Sequence, residues 1–510
     1  MVEAKLLYKI LGSLLIMLGL LMGGCALMAG CYQEDDIMAF LISSLFTGCC
    51  GFIFKYLGRN ATNDMSRRTA YLVVTLSWLL YSLFGMLPYI IGGYINSVTD
   101  AYFETMSGFT TTGATILDDV ERLPHALLFW RSLSQWIGGL GIVFFTIAIL
   151  PSLVGGSVKV FAAEATGPVR TKMHPRLSTN AKWICSIYLV LTVACILSYY
   201  AAGMEWFDSV NYSMSTTATG GFAPHNDSVE HYHSAAVEYV SLLFQFLSGI
   251  NFTLLYIVIF KRQLRQLVQN SEFRLYLFVV SFSAIVIMAI LIYNNGYGTE
   301  RAFRCALFQV VSFITTTGLF NDDAGAWPHI TWVILGICMF LGACAGSTSG
   351  GFKCIRGSMV LKAMQNEFRQ ILHPSAVLPI KVNGQNVPSS KVATLLAFFA
   401  LYVVMCLISA TIMIAAGIDN TNAITIALSC MSNVGPTLGT EIGPVMSWAG
   451  LPDGIKWICS FLMLVGRLVS SFISGKVSSR AQLSFVSIVA LVLVAAAIFT
   501  PATVTTKMPA

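Results

Sequence analysis

Long apolar segments alternate with short, more polar stretches along most of this chain. Two apolar segments come first, at about 8–30 and 37–56, and each is long enough to cross a bilayer as a helix. A pattern then begins that occurs four times: a long apolar segment, a short and less hydrophobic segment, a stretch rich in threonine and glycine, and a second long apolar segment. This repetition predicts an all-α membrane protein in which two N-terminal helices precede four repeated units.

The short segment of each unit cannot cross a membrane. The short segments lie at about 100–111, 207–217, 301–315 and 421–432. At about 1.5 Å per residue they fall well short of about 30 Å of hydrocarbon, so each is predicted to enter and leave the membrane on the same side. Spanning helices are predicted before them at about 70–93, 182–203, 274–294 and 391–417, and after them at about 127–152, 235–262, 329–372 and 452–473.

The repeats divide the chain into six parts. Residues 1–62 form the N-terminal two-helix segment, and residues 474–510 form a C-terminal extension whose structure the composition does not decide. The pore units between them are 63–160, 161–265, 266–375 and 376–473, the third with an interrupted second helix. Four equivalent units close naturally around a central axis, which predicts a pseudo-fourfold arrangement of helix, pore helix and helix around one pore.

Composition and charge agree with this picture. The 510 residues are 56% hydrophobic and 11% charged, which excludes a soluble globular protein because so much apolar surface could not be buried. Most lysines and arginines fall at the N-terminus and in every second connection, whereas most acids fall in the others. The positive-inside rule therefore predicts a cytoplasmic N-terminus and an acidic outer vestibule that attracts cations. The 13 scattered cysteines have no metal-ligand spacing and are interpreted as small buried residues.

The four threonine- and glycine-rich stretches offer only hydroxyl and carbonyl oxygens. They are residues 107–115, 215–221, 314–319 and 431–436. Neutral carbonyl oxygens suit a dehydrated potassium ion, because they replace its water shell and still allow it to leave. Each preceding short helix would also turn its negative C-terminal end toward the ion. Non-helical backbone at membrane depth is tolerated where it lines a polar cavity, so the four stretches predict one shared path.

The second helix of the third unit is interrupted by a run of small residues at 342–351. Glycine permits unusual backbone conformations, and hydroxyl groups satisfy the freed backbone groups. We interpret the run as a mobile segment across the pore; a patch of small residues for close helix packing is the alternative. Arg467 lies in the last helix of the fourth unit, where a charge at depth is costly and usually functional. A side chain that reaches the cytoplasmic interface is its alternative interpretation.

Other polar residues within or beside the apolar segments are harder to assign. Gln135 and Asn251, together with Asn433, are interpreted as helix-packing groups rather than hydrogen-bonding supports of the stretches. His225, His231 and His233 lie at loose spacing in one outer loop, and a solvated loop is favoured there over a metal site. No carboxylate is expected in the middle of a membrane helix, apart from acids at the pore mouth.

Several motifs carry a resemblance to a known family. The chain resembles the Trk/Ktr/HKT superfamily of potassium transporters and, within it, the bacterial TrkH subfamily, over about residues 5–468. The matching motifs are 108–115, 135–141, 218–222, 315–318, 343–356, 432–436 and 463–468. The departure comes after Leu468, where family members usually soon end but this chain continues through a Ser/Gly/Lys stretch to a further apolar run at 483–499.

The resemblance implies roles for particular residues. The implied selectivity-filter and K⁺-binding residues are Thr111, Thr112, Gly113, Thr219, Gly220, Thr316, Thr317, Gly318, Asn433, Val434 and Gly435. The implied gate residues are Ala345, Gly346, Ser347, Thr348, Ser349, Gly350, Gly351 and Arg467. Glycine at all four aligned filter positions favours potassium over sodium. The family also implies a homodimer in the bacterial inner membrane, surrounded by lipid, with a cytosolic TrkA-like ring of nucleotide-binding regulatory subunits.

Two functions remain open on the sequence. The first is potassium uptake through a gated, K⁺-selective pore; the alternative is a secondary transporter that couples K⁺ or a small solute to Na⁺ or H⁺, which also uses broken helices at the membrane midplane. An enzyme is not expected, because H-E-x-x-H, G-x-S-x-G and paired intramembrane aspartates are missing. No cofactor beyond the transported ion, and no nucleic-acid partner, is expected.

Overall fold

A computed structural model describes residues 4–61, 67–141, 177–375, 378–439 and 442–472. Two N-terminal helices, Ala4–Tyr32 and Ile37–Leu57, pack tightly against each other. Glycines permit this approach, because a Cβ atom on Gly12 would collide with the backbone of Lys55, and one on Gly51 with the backbone of Ile16. Small residues at a helix contact let two backbones approach closely in lipid.

Each of the four units contains a first helix, a short helix and a second helix. The first helices are Arg67–Gly85 (continued by Leu87–Ile91), Leu177–Ala201, Ser271–Asn295 and Ser389–Ala415. The short helices are Val98–Phe109, Trp206–Ala218, Thr299–Ile314 and Asn420–Ser432. All eight lie within a few residues of the predicted positions, because apolar length and the polar stretches mark both kinds of element.

The second helices differ from unit to unit. The first begins at His125 and is helical to Leu140, and the remainder of its predicted range, 142–152, lies outside the described residues. In the fourth unit the helix is Asp453–Phe472. In the third unit His329–Leu341 and Cys354–Leu372 are separated by residues 342–353, which we call the intramembrane loop.

The second helix of the second unit was predicted to be continuous, and this prediction is wrong. Its two parts, Ala235–Ser248 and Phe252–Lys261, meet at 104°. Asn251 caps the second part, because its side-chain oxygen accepts a hydrogen bond of 2.8 Å from the Thr253 amide. A capping side chain satisfies an amide that has no partner within the helix, so the chain restarts a helix in a new direction.

The remaining elements are small. Helix Leu264–Gln269 and the 3₁₀ turns Ser228–Tyr232 and Ala324–Ala326 lie in connections. The one departure from all-α structure in the described part of the chain is a hairpin of two short antiparallel strands, in which Lys381–Val382 pairs with Gln385–Asn386. The predicted C-terminal extension, 474–510, lies outside the described residues.

The short helices occupy the interior and the first helices face outward. Every residue from 101 to 109 is buried, as is every residue from 211 to 218. Large apolar side chains on the outer faces are exposed, including Leu41, Phe46, Leu197, Phe278, Phe282 and Leu407. Among the described residues six helices are long and apolar enough to cross a membrane, or seven if the bent pair counts as one span. The chain is therefore a multi-pass helical membrane protein whose exposed apolar faces suit lipid.

Candidate functional site

The four short helices end in the same backbone turn. Each is followed by a residue in the left-handed conformation and, two positions later, by a glycine with positive φ. The left-handed residues are Thr111, Thr219, Thr316 and Asn433, with φ of 54°, 53°, 56° and 56°. The glycines are Gly113, Gly221, Gly318 and Gly435, with φ of 83°, 87°, 78° and 94°. Glycine adopts positive φ without steric cost, so the sequence supplies the required residue at all four places.

Hydrogen bonds align the four turns residue by residue. The amide between each left-handed residue and its glycine donates to the carbonyl of a serine five positions earlier. The pairs are Thr112 to Ser107 (2.9 Å), Gly220 to Ser215 (2.9 Å), Thr317 to Ser312 (2.8 Å) and Val434 to Ser429 (3.0 Å). In the second unit the counterpart of Gly113 is therefore Gly221, and the prediction of Gly220 for this position is wrong. Gly220 occupies the position of Thr112.

The four stretches close into a ring. A Cβ atom added to Gly113 would collide with the Gly220 carbonyl oxygen of the next unit. The same relation joins the other neighbouring pairs, which are Gly221 with the Thr317 oxygen, Gly318 with the Val434 oxygen, and Gly435 with the Thr112 oxygen. The order runs from unit one through unit four and back to unit one, so the units surround one axis. Glycine is required at each position for two reasons: its positive φ, and the close approach of the neighbouring carbonyl oxygen.

A cavity of about 150 Å³ opens above the ring. All four positive-φ glycines contribute to its wall, together with residues of the loops that follow them, among them Asp118 and His225. The short helices direct their C-terminal ends, which carry partial negative charge, toward the stretches below the cavity. The site can therefore receive a cation from the cavity and offer it neutral backbone oxygens.

Gln135 supports the second stretch. Its side-chain nitrogen donates to the Gly220 carbonyl (2.7 Å), and its side-chain oxygen accepts from the Ser215 hydroxyl (2.9 Å) and the Phe222 amide (3.1 Å). Asn433 similarly donates to the Thr112 hydroxyl (3.0 Å) and the Met463 carbonyl (2.9 Å), joining the fourth unit to the first. The interpretation of these two side chains as packing groups is wrong, because both are fully buried and hydrogen-bonded to the stretches.

A buried ion pair braces the outer side of the ring, and sequence reasoning missed it. Arg131 Nε lies 3.0 Å from Glu104 Oε1, and both side chains are almost wholly buried. Glu104 also accepts hydrogen bonds of 3.0 Å from the Thr115 hydroxyl and the Ile116 amide. Arg131 donates to the Ala223 carbonyl at 3.1 Å. The pair thus ties the residues after the first stretch to those after the second; the isolated charges in apolar segments were its only sequence signal.

The intramembrane loop lies against the inner ends of three short helices. The Thr348 hydroxyl donates to the Thr217 carbonyl (3.1 Å), and the Gly350 amide donates to the Thr316 hydroxyl (2.7 Å). The Gly351 amide donates to the Ser432 carbonyl at 2.9 Å. Residues predicted as gate elements therefore contact three of the four units directly beside the left-handed turns.

Arg467 connects this loop to the first unit. Its guanidinium donates to the Thr348 carbonyl (3.1 Å) and to the carbonyls of Gly138 (2.6 Å) and Gly139 (3.1 Å). Carbonyl oxygens satisfy a guanidinium at membrane depth, where an unpaired charge would be costly. The side chain is partly buried and does not extend to an interface as an unattached charge, which disfavours the alternative interpretation.

Two residues anchor the loop from neighbouring helices. Glu272 Oε1 accepts hydrogen bonds from the Ala345 amide (2.6 Å), within the loop, and from the Ile355 amide (3.3 Å), in the first turn of the helix that follows it. Asn251, at the break in the second unit, donates to the Ala345 carbonyl (2.6 Å), so its interpretation as a packing group is also wrong. Lys353 is fully buried and donates to the Ser349 hydroxyl at 2.9 Å. The roles of Glu272 and Lys353 were not predicted. Glu272 contacts residues 73 and 83 positions away in the same unit, and Lys353 contacts its own loop.

Comparison with known proteins decides the family. The family model TrkH, described as "Cation transport protein", matches residues 36–474. The chain belongs to the TrkH family. The Trk system potassium uptake protein TrkH of Halomonas elongata is 35% identical over 466 residues, which are 91% of this chain and 96% of that protein. TrkH of Escherichia coli K12 is 34% identical over 463 residues, or 90% and 95% of the two chains.

A solved structure of the TrkH family has the same fold. The crystal structure of the potassium transporter TrkH from Vibrio parahaemolyticus superimposes with a TM-score of 0.83 at 32% identity, over 92% of this chain and 97% of that one. The predicted fold class and the resemblance are confirmed by these matches. They identify a multi-pass membrane protein of a transporter family.

Proposed function

We propose that this chain takes up potassium across the bacterial cytoplasmic membrane through a gated, K⁺-selective pore. The observation that carries the proposal is the closed ring of the four stretches. The predicted filter residues, with the ring position of Gly221 added, would supply the carbonyl and hydroxyl oxygens that replace the water shell of the ion. The choice of ion is supported by relatives that are named potassium uptake proteins and that align with 90% or more of this chain.

Charge and geometry together favour a weakly held monovalent cation. The stretches carry no acidic side chain, and an ion held by neutral oxygens can leave as readily as it enters. One acidic residue, Asp118, contributes to the wall of the cavity above, and Asp119 and Glu121 follow it in the same loop. Such a negative entrance raises the local concentration of cations by its field. Acidic side chains would thus attract the cation to the entrance, and neutral oxygens of the stretches would hold it during passage.

The gate in this proposal is the loop segment 345–351 together with Arg467. The hydrogen bonds from this segment to Thr217, Thr316 and Ser432 support a position directly below the filter. The positive charge of Arg467 would add an electrostatic barrier to cations on the same path. Flux then requires that the loop leave these partners.

Orientation and assembly complete the proposal. We place the N-terminus in the cytoplasm of a bacterial inner-membrane protein, keep the predicted unit boundaries, and expect a homodimer bound by a cytosolic TrkA-like nucleotide-binding ring. The name of the relatives, which are parts of a Trk system, supports a multi-component assembly. Copurification of the chain with such a ring, with ATP or ADP present, tests the partner.

Uptake into vesicles tests the function. Purified chain in vesicles should take up ⁸⁶Rb⁺ when a voltage is imposed with no Na⁺ or H⁺ gradient, and unlabelled K⁺ should compete better than Na⁺. An absolute requirement for a second ion gradient would refute the pore and favour the coupled transporter. The Gly221→Ala variant is the matched negative control, since its Cβ would strike the Thr317 carbonyl.

A further inference from the structure

Two of the three histidines in the outer loop of the second unit lie together, although the sequence favoured a solvated loop. The imidazole rings of His225 and His231 stack with centroids 3.7 Å apart and an interplanar angle of 4°. His225 is partly buried and His231 is exposed. His233 is exposed and is not a member of the cluster described next.

A carboxylate from another unit completes this cluster. Possible ligand atoms of Glu121, His225 and His231 all lie within 4.8 Å of one another. Zinc bonds to histidine nitrogen and carboxylate oxygen are about 2.0–2.2 Å long, so ligand atoms of a tetrahedral site lie about 3.5 Å apart. In the stacked arrangement the two ring planes are parallel, so one ion cannot lie in both planes. Because His231 is exposed, its ring can turn out of the stack and direct a nitrogen toward His225 and Glu121.

The orientation of His225 is already that of a metal ligand. Its Nε2 atom lies 3.0 Å from Asp208 Oδ2, and its Nδ1 atom lies 3.3 Å from Glu121 Oε1. The Tyr232 hydroxyl in turn donates to Asp208. A histidine that binds a metal commonly donates its other ring N–H to a carboxylate, which fixes the tautomer and the ring orientation. In the tautomer whose Nε2 proton is donated to Asp208, the Nδ1 lone pair is directed toward Glu121.

The electrostatic surroundings favour a cation at this position. The carboxylates of Asp208 and Glu121 lie 3.0 Å and 3.3 Å from the two ring nitrogens of His225, and they place negative charge on both sides of the ring. Such negative charge attracts a cation to the space between these groups. Two imidazoles and one carboxylate are a ligand set that zinc accepts, with a water molecule as the fourth ligand.

We propose that Glu121, His225 and His231 bind a divalent transition-metal ion of the Zn²⁺ class. Asp208 is the positioning residue, and Tyr232 holds Asp208. The site joins the loops of the first and second units at the cavity above the filter, whose wall includes His225. The binding claim is independent of the transported ion. A second claim rests on the proposed function: the bound ion adds positive charge at the entrance and slows cation entry.

Calorimetry tests the binding claim. Titration of the purified full-length chain in detergent with ZnCl₂ should give one site per chain. We expect His231→Ala and Glu121→Gln each to weaken binding at least tenfold, while His233→Ala retains the wild-type affinity. Both altered side chains are exposed, so the variants should fold. Absence of binding, or equal affinity in the wild type and a His231→Ala/Glu121→Gln double variant, overturns the site.

Uptake of ⁸⁶Rb⁺ tests the second claim. External ZnCl₂ should slow uptake by wild-type vesicles severalfold and by His231→Ala vesicles much less. Binding without any change in uptake refutes the entrance effect and leaves the binding site intact. Vesicles that take up no ⁸⁶Rb⁺ even without zinc refute the proposed function instead, and the calorimetric result still stands.

Discussion

Replacement of Gln135 by leucine tests whether side-chain hydrogen bonds hold the filter in shape. Gln135 is fully buried and makes three hydrogen bonds to the second unit: to the Gly220 carbonyl, the Ser215 hydroxyl and the Phe222 amide. Leucine has a similar volume but leaves all three groups without this partner. At about 1 kcal/mol net for each hydrogen bond, the native turn loses about 3 kcal/mol relative to displaced conformations.

This loss translates into a measurable change in selectivity. Since about 1.4 kcal/mol corresponds to a factor of ten in an equilibrium constant, the balance between native and displaced turns shifts by roughly 100-fold. Gln135→Leu should therefore take up ⁸⁶Rb⁺ in vesicles with strongly increased competition by Na⁺. The increase in competition by Na⁺ should be larger, as a fold-change, than any decrease in the amount of folded protein. Size-exclusion chromatography and thermal unfolding in detergent measure that amount separately.

Gln245→Leu is the matched control. Gln245 is also a fully buried helical glutamine, but the one side-chain hydrogen bond it makes among the described residues is to Ser241 on its own helix, at 2.9 Å. Its replacement should leave competition by Na⁺ near the wild-type level. Equal selectivity in the two variants would refute the reasoning, because burial alone, rather than contact with the Gly220 carbonyl, would then account for any effect.

Three further variants test other parts of the site. Arg467→Ala removes the hydrogen bond to the Thr348 carbonyl. A hydrogen bond from a charged donor contributes about 1.5–3 kcal/mol, so ⁸⁶Rb⁺ uptake should rise about tenfold or more. Unchanged uptake would contradict the role of Arg467 in the gate. Gly113→Ser puts a side chain against the Gly220 carbonyl and should reduce the preference for K⁺ over Na⁺; retained preference in competition uptake would reject the filter assignment. Glu104→Gln leaves the buried Arg131 charge without its carboxylate and should cost about 3–5 kcal/mol of stability. The midpoint of thermal unfolding should fall strongly, and an additional Arg131→Met change should partly restore it. Additive losses of stability in the double variant would argue against the ion pair.

The sequence was sufficient for elements whose cause is local. Short helices such as Trp206–Ala218 were located within about two residues, because a segment too short to span the membrane and a threonine-rich end are both visible in the sequence. The left-handed residue after each helix was not predicted, because three of the four are threonine, whose branched side chain disfavours positive φ. The fold class depends on the repetition of these signals and was therefore accessible without coordinates.

Two of the features that were missed depend on contacts between units. The break at 249–251 lies in an otherwise apolar helix, and its freed groups pair with another unit: the Gly249 carbonyl accepts from the Cys344 amide at 3.1 Å, and the Phe252 amide donates to the Gly346 carbonyl at 3.0 Å. The register of the second stretch was misjudged because two glycines are adjacent there, and only backbone angles and the neighbouring carbonyl distinguish Gly221 from Gly220. Spacing along the chain carries none of this information.

The same contacts imply that opening the loop disturbs the filter. Thr316 is a left-handed residue of the third filter turn, and its hydroxyl accepts the Gly350 amide of the loop. If the loop moves away, that hydroxyl and the Ser432 carbonyl, which accepts the Gly351 amide, must find new partners or stay unpaired at a cost of about 1–3 kcal/mol each. Water entering behind the displaced loop is the available partner. Movement of the loop and hydration of the inner ends of the short helices should therefore begin together, because the hydrogen bonds that hold the loop in place are also those that complete the turns.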